Sequence, residues 1–264
     1  MHIRSFTALG VLAATALVLT GCAGAQSTTA TKTTTPTPSP TAAHWSYEGV
    51  DDPAHWASLS GDYRECSAGE HQSPIDLPAL GHDAPLHLDV THGDVDETTA
   101  DNGHTVQLTA GTGETTVVDG VEYHLQQMHF HAASEHTVEG ERYPIEFHFV
   151  HADAEGNLLV LAVFGKAGTN NPAFDAFIEG ASSGTTSART ESVDIAAMLL
   201  AKRSYWSYEG SLTTPPCTEG VHWVVLATPI ELGQDQIDDL TAIHHDNDRP
   251  TQDLNGRTVH SGAE

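Results

Sequence analysis

Basic side chains are scarce in this chain: Lys and Arg together number 10 against 36 Asp and Glu, a formal net charge of −26. That balance excludes nucleic acid as a partner, because phosphate backbones are bound by Lys and Arg. Cysteine is scarcer, at 3 residues, too few to close a structural metal site with four thiolates. No internal repeat is evident, so the chain is not an array of small units. The N-terminal apolar run at positions 8–19 is shorter than the roughly 20 residues a membrane-spanning helix needs. What is present is enough apolar material for a core: 39% of 264 residues are hydrophobic, and one domain is the economical reading.

The N-terminal run has a function of its own. Arg4 precedes it and Leu19-Thr20-Gly21-Cys22 ends it, the shape of a secretory signal with a small residue before the cut. It resembles a bacterial lipoprotein signal, with Cys22 becoming the lipidated first residue. Positions 22–43 are then dominated by Thr, Ser, Ala and Pro, with Pro36, Pro38 and Pro40 favouring extended conformers. We read 1–21 as signal peptide, 22–43 as lipidated cysteine and tether, and 44–264 as the folded domain. The expected location is outside the cytoplasm, facing the periplasm or the extracellular side, with membrane contact through the lipid anchor only.

The chemistry is concentrated in two segments, Gln127-Met128-His129-Phe130-His131-Ala132-Ala133-Ser134-Glu135 and Tyr143-Pro144-Ile145-Glu146-Phe147-His148-Phe149-Val150-His151. Side chains alternate faces along a strand, so His129 and His131 project together while Met128 and Phe130 face the other way. The linker containing Glu139, Gly140 and Glu141 lets the second segment return antiparallel, bringing His148 beside that pair. Three imidazoles suit Zn²⁺ in a catalytic site, where tetrahedral zinc keeps a fourth position free. Gln127 and Glu146 each lie two residues before a ligand, on its own face, where a partner for the second ring nitrogen belongs. A lone His-x-His pair is weak evidence; a pair, a third histidine and two same-face partners are hard to explain as core filling.

Around these segments the chain resembles the α-class carbonic anhydrases, in order from about His44 to Arg257. The resemblance rests on His44-Trp45-Ser46-Tyr47, Gln72-Ser73-Pro74-Ile75-Asp76, Asn102-Gly103-His104, the histidine segments, Tyr205-Trp206-Ser207-Tyr208-Glu209-Gly210-Ser211-Leu212-Thr213-Thr214-Pro215-Pro216-Cys217, Arg249-Pro250-Thr251-Gln252 and Asn255-Gly256-Arg257. His131-Ala132-Ala133-Ser134-Glu135-His136 looks like the bacterial branch.

This resemblance implies reversible hydration of carbon dioxide to bicarbonate and a proton, by attack of zinc-bound hydroxide; lowering the pKa of zinc-bound water is illustrated in general physical chemistry by carbonic anhydrase itself. It implies that Thr213 orients the nucleophile and donates to Glu135, and that His104 shuttles the proton. Val150, Val160, Leu212, Val221 and Trp223 match the substrate pocket, Thr214 a product contact, and Tyr47 the cleft's water network. With Cys22 lipidated, Cys66 and Cys217 remain as a pair, matching a disulfide of bacterial relatives. Carbon dioxide and bicarbonate are the expected small-molecule partners, and a homodimer is left open.

The strand-like runs are 105–110, 114–118, 122–132, 144–153, 158–166 and 221–230; helical patterns cover 172–178, 193–200 and 234–244, the last with Ile237, Leu240 and Ile243 at helical spacing. The mixture indicates α+β. The resemblance sharpens this to a large twisted, mainly antiparallel β-sheet with peripheral helices and a conical zinc cleft. Two other functional classes are weighed against an enzyme. A silent binding module on the same fold normally lacks a zinc histidine, and all three are here; a zinc-acquisition lipoprotein needs no Thr213–Glu135 relay.

Overall fold

The computed structural model describes residues 43–81, 86–91, 94–111, 113–182, 189–199 and 204–263. The expected signal peptide, Cys22 and nearly all of the tether lie outside them.

Two one-turn helices, α1 (Trp56–Leu59) and α2 (Glu65–Ala68), precede the strands β1 (Asp76–Leu77), β2 (Leu88–Thr91), β3 (Asp94–Asp101), β4 (Val106–Thr109), β5 (Thr115–Val118), β6 (Val121–His131), β7 (Thr137–Val138), β8 (Ile145–Ala152) and β9 (Leu158–Ala167). A 3₁₀ turn at Pro172–Phe174 then leads into α3 (Asp175–Ser182), followed by β10 (Arg189–Asp194), α4 (Ile195–Met198), β11 (Ser204–Ser211), β12 (Glu219–Leu232), α5 (Gln234–Ile243) and β13 (His260–Ala263). The described sheet runs β10-β3-β4-β6-β8-β9-β12-β11-β13, with β5 also pairing β6 and β2 beyond it. Every described pair in it is antiparallel except β9 with β12. The expected mainly antiparallel sheet with peripheral helices is what is found.

Alternation splits the sheet into two buried faces. Phe147 and Phe149 of β8, Leu159, Leu161 and Val163 of β9, and Val224 and Leu226 of β12 pack into one core, which α3 and α5 cover with Phe177, Ile178, Ile237 and Leu240. Val160, Ala162 and Phe164 of β9 and Val221, Trp223 and Val225 of β12 build the second core on the opposite face. Both faces of β9 are covered, which explains its unbroken apolar run.

Strand β6 contains the feature that aims the site. Its pairing with β8 slips between Leu125 and Gln127, so one extra residue reverses the alternation there. Leu125 and Met128 consequently enter the same core, and His129 and His131 fall on the other face. The helical expectation for 193–200 is corrected: β10 extends through Asp194 and only Ile195–Met198 is helical. The Asp194 side chain caps that turn by accepting from the Ala197 N–H at 2.9 Å. Strand β11, which pairs with β12, lies outside the expected strand runs although its residues belong to the Tyr205–Cys217 motif.

Candidate metal centre and active site

His129 of β6 sits directly across from His148 of β8, and His131 across from Glu146. The three rings converge, with centroids 5.1 Å apart for His129–His131 and for His129–His148, and 4.6 Å for His131–His148. One nitrogen from each lies within 4.8 Å of the other two.

Hydrogen bonds decide which nitrogens those are. His129 Nδ1 lies 2.8 Å from Gln127 Oε1, His131 Nδ1 lies 2.7 Å from the Asn247 carbonyl, and His148 Nε2 lies 2.9 Å from Glu146 Oε1. Each partner is an acceptor, so each of those ring nitrogens donates, leaving the lone pairs of His129 Nε2, His131 Nε2 and His148 Nδ1 facing the centre. Burial holds the His129 imidazole well below its ordinary pKa, helped by His131 and His148, and lowers His148 to about 4 against the opposing pull of Glu146. Neutral rings are what a metal requires. His131 Nε2 is buried with no hydrogen-bond partner. An orphaned lone pair of this kind is costly unless something such as a cation engages it, so the donor set fits zinc.

Glu146 is anchored more heavily than its place beside His148 suggested. His136 approaches it twice, with Nδ1 2.7 Å from Oε1 and its backbone N–H donating to Oε2 at 2.9 Å. His136 Nε2 continues to the Tyr208 hydroxyl at 2.7 Å, which meets Ser73 Oγ at 2.9 Å. Burial would raise the Glu146 pKa, but His136 and His148 outweigh it and hold the carboxyl well below the usual range.

Glu135, fully buried, takes the Arg249 backbone N–H on Oε1 at 2.8 Å, while Oε2 lies 3.5 Å from His131 Nε2. Burial raises its pKa against the opposing influences of His131, the Arg249 amide and the Thr213 hydroxyl. Arg249 also donates from Nη1 to the Ser73 carbonyl and from Nη2 to that of Cys66. The Thr213–Pro216 loop is fastened at its end by the Cys66–Cys217 disulfide and by Gln72 Nε2, which donates to the Cys217 carbonyl at 3.0 Å.

Tyr47, His104, Gln127, His129, His131 and Thr214 line one cavity of about 100 Å³. His104 stacks on Trp45, ring centroids 3.6 Å apart and planes within 7°. Its backbone is fixed by an Asx turn, Asn102 Oδ1 accepting from the His104 and Thr105 N–H groups. Burial, then His44 and His244, lower its pKa against Asp101. Of the expected substrate-pocket residues, Val160, Val221 and Trp223 are buried in the second core, whereas Val150 and Leu212 are partly exposed at its edge. Trp223 packs edge-on against His148 at 5.0 Å.

Sequence reasoning missed His136, Asn247 and the Arg249 amide. His136 follows Glu135 in the quoted segment and Arg249 lies in a quoted motif, so both were within reach. Asn247 has no local signal, since it meets His131 only through folding of the segment after α5.

The description of eukaryotic-type carbonic anhydrases matches residues 51–263. A carbonic anhydrase of Klebsiella pneumoniae is 42% identical over 226 residues, covering 83% of this chain and 91% of that protein. Another, from Pectobacterium atrosepticum, is 40% identical over 224 residues, covering 83% and 91%. The solved α-carbonic anhydrase of Thermovibrio ammonificans, in complex with the inhibitor sulfanilamide, has a TM-score of 0.76 at 40% identity and covers 82% of this chain and 98% of that one.

Proposed function

This chain belongs to the eukaryotic-type carbonic anhydrase family, and on that premise we propose how its residues divide the work of a zinc enzyme that reversibly hydrates carbon dioxide. His129, His131 and His148 hold the zinc; when bound, it supplies the Lewis acidity that makes water nucleophilic at neutral pH. Gln127, the Asn247 carbonyl and Glu146 fix the three rings by accepting from their outer nitrogens. Glu135, itself oriented by the Arg249 amide, accepts from Thr213, so that the Thr213 oxygen must in turn accept from the attacking group and aim it. Val150 and Leu212 give apolar contact to the uncharged substrate, backed by Val160, Val221 and Trp223. Thr214 contacts the product anion, Tyr47 orders water in the cleft, and His104 carries the released proton to solvent.

The observation that carries this reading is the convergence of three imidazoles whose other nitrogens are already committed to acceptors. It is tested by His129→Ala, His131→Ala and His148→Ala with elemental analysis and stopped-flow carbon dioxide hydration. Each variant should lose most of its bound zinc and hydration activity. Full zinc content with full activity in all three would reject the ligand set.

The chain is further proposed to be an exported lipoprotein, anchored through Cys22 and facing the periplasm or extracellular side. Support comes from the signal-like sequence before Cys22 and from the Cys66–Cys217 disulfide, a bond that persists mainly in oxidising compartments.

A further inference from the structure

The segment that follows α5 grips the hairpin carrying His104 at two points. Helix α5 closes with the His244 N–H donating to the Leu240 carbonyl at 3.1 Å, and His244 itself is extended. Its ring packs against Phe130 of β6, centroids 6.4 Å apart, and its Nε2 lies 3.0 Å from Oδ1 of Asp101, the last residue of β3. A carboxylate only accepts, so Nε2 is the donor. Three residues further on, Asn247 Nδ2 donates to the His104 carbonyl and to the Phe130 carbonyl, each at 3.1 Å.

Asp101 passes this anchorage into the turn. The same Oδ1 accepts from the Gly103 N–H at 2.7 Å, and Gly103 has φ +89°, a conformation glycine adopts without steric cost. One carboxylate oxygen therefore fixes the residue before His104, while His244 fixes the carboxylate. Both side chains are partly buried, so their bond is screened less than one on the open surface. The placement matters because His104 borders two spaces. One is the small cavity it shares with His129, His131 and Thr214; the other, of about 510 Å³, it shares with His44, His244 and His245. A group that carries a proton from the reacting centre to solvent must face both sides.

We propose that His244 is a positioning residue for proton transfer: by donating to Asp101 it sets the 101–104 turn so that the His104 imidazole stands between the two cavities. This rests on His104 acting as the shuttle. The effect of His244 passes through Asp101 and the turn, and the hydrogen bond is the agent. Charge is a separate influence: behind burial and His44, His244 lowers the His104 pKa while Asp101 raises it.

The test is stopped-flow carbon dioxide hydration by the zinc-loaded protein in dilute buffer and with added imidazole. His244→Leu should lower kcat in dilute buffer about three- to tenfold with kcat/KM held within about twofold, and imidazole should restore the loss. His244→Gln can still donate from Nε2 to Asp101 and carries no charge, so it should keep kcat within about twofold of the unaltered protein. Added to His104→Ala, His244→Leu should cause no further loss, since the two act through one route. An unchanged kcat in His244→Leu, with kcat lowered in His104→Ala, overturns the positioning role and leaves the shuttle standing. An unchanged kcat in His104→Ala removes the shuttle and this proposal together. Equal falls in kcat and kcat/KM, or a loss in His244→Gln as large as in His244→Leu, overturn it too, reducing His244 to packing on Phe130. His244→Ala is read in the same way if leucine disturbs that packing.

Discussion

At the residue scale, the site works by assigning each nitrogen and oxygen one role. His131 is held at Nδ1 by the Asn247 carbonyl, and its Nε2, 3.5 Å from Glu135 Oε2, makes no hydrogen bond among the described residues. His104 differs, its ring stacked face to face on Trp45. Imidazole's ordinary pKa near 6.5 suits a carrier that must both take and release protons near neutrality, and the downward shift at His104 favours release. His104→Ala should therefore lower kcat about tenfold or more in dilute buffer while leaving kcat/KM nearly unchanged, since kcat/KM reports substrate attack rather than proton removal. Small imidazole buffers should restore much of the loss. Stopped-flow traces at several buffer concentrations decide it, and an unchanged kcat in dilute buffer removes His104 from the role.

At the element scale, strands deliver side chains but contacts between distant segments aim them. Glu219, opening β12, accepts from the His71 N–H at 2.6 Å and from Gln72 Nε2 at 3.0 Å, tying the 71–72 segment to the start of β12. Burial would raise its pKa, yet these bonds lower it. A carboxyl with a depressed folded-state pKa contributes stability above its unfolded value, about 4.3, and loses that contribution as pH falls through the folded value. Glu219→Gln should cost about 0.5 kcal/mol at pH 7, a figure discounted for solvent screening. The difference should vanish once the acid titrates. Urea midpoints of the two proteins at pH 7 and below the lowered pKa measure it; a gap that persists in acid would count against the charge.

At the scale of the whole molecule, the Cys66–Cys217 bond spans 151 positions and joins α2 to the end of the Thr213–Pro216 loop. Closing so long a loop in the unfolded chain corresponds to about 4 to 5 kcal/mol on the chain-entropy account. Replacing both cysteines by serine should lower the denaturation midpoint by several kcal/mol equivalent in urea titrations, and should reduce kcat because Thr213 and Thr214 lose their brace. An unchanged midpoint would mean that the disulfide does not limit the unfolded ensemble. For the exported form, mass spectrometry of membrane-extracted protein should find the chain beginning at lipidated Cys22. An unprocessed N-terminus would contradict the anchor.

The histidine segments, their two same-face partners and six of the thirteen described strands, β4, β5, β6, β8, β9 and β12, are legible because alternation is a local property, carried by neighbours two residues apart. The expected ends of the runs at 144–153 and 158–166 lie within a residue of β8 and β9. Of the helical pattern at 193–200, Ile195–Met198 is helix, as the propensity of Ala196, Ala197 and Met198 favours, while Val193 and Asp194 belong to β10 through its pairing with β3. Long-range geometry left no trace in local sequence. The bulge that turns His129 and His131 toward the centre and the Asn247 carbonyl that fixes His131 both depend on strand register and loop packing. The sequence by itself determined which residues could bind a metal; tertiary structure decided which nitrogen of each ring faces it, because a hydrogen bond from a distant segment selects the tautomer.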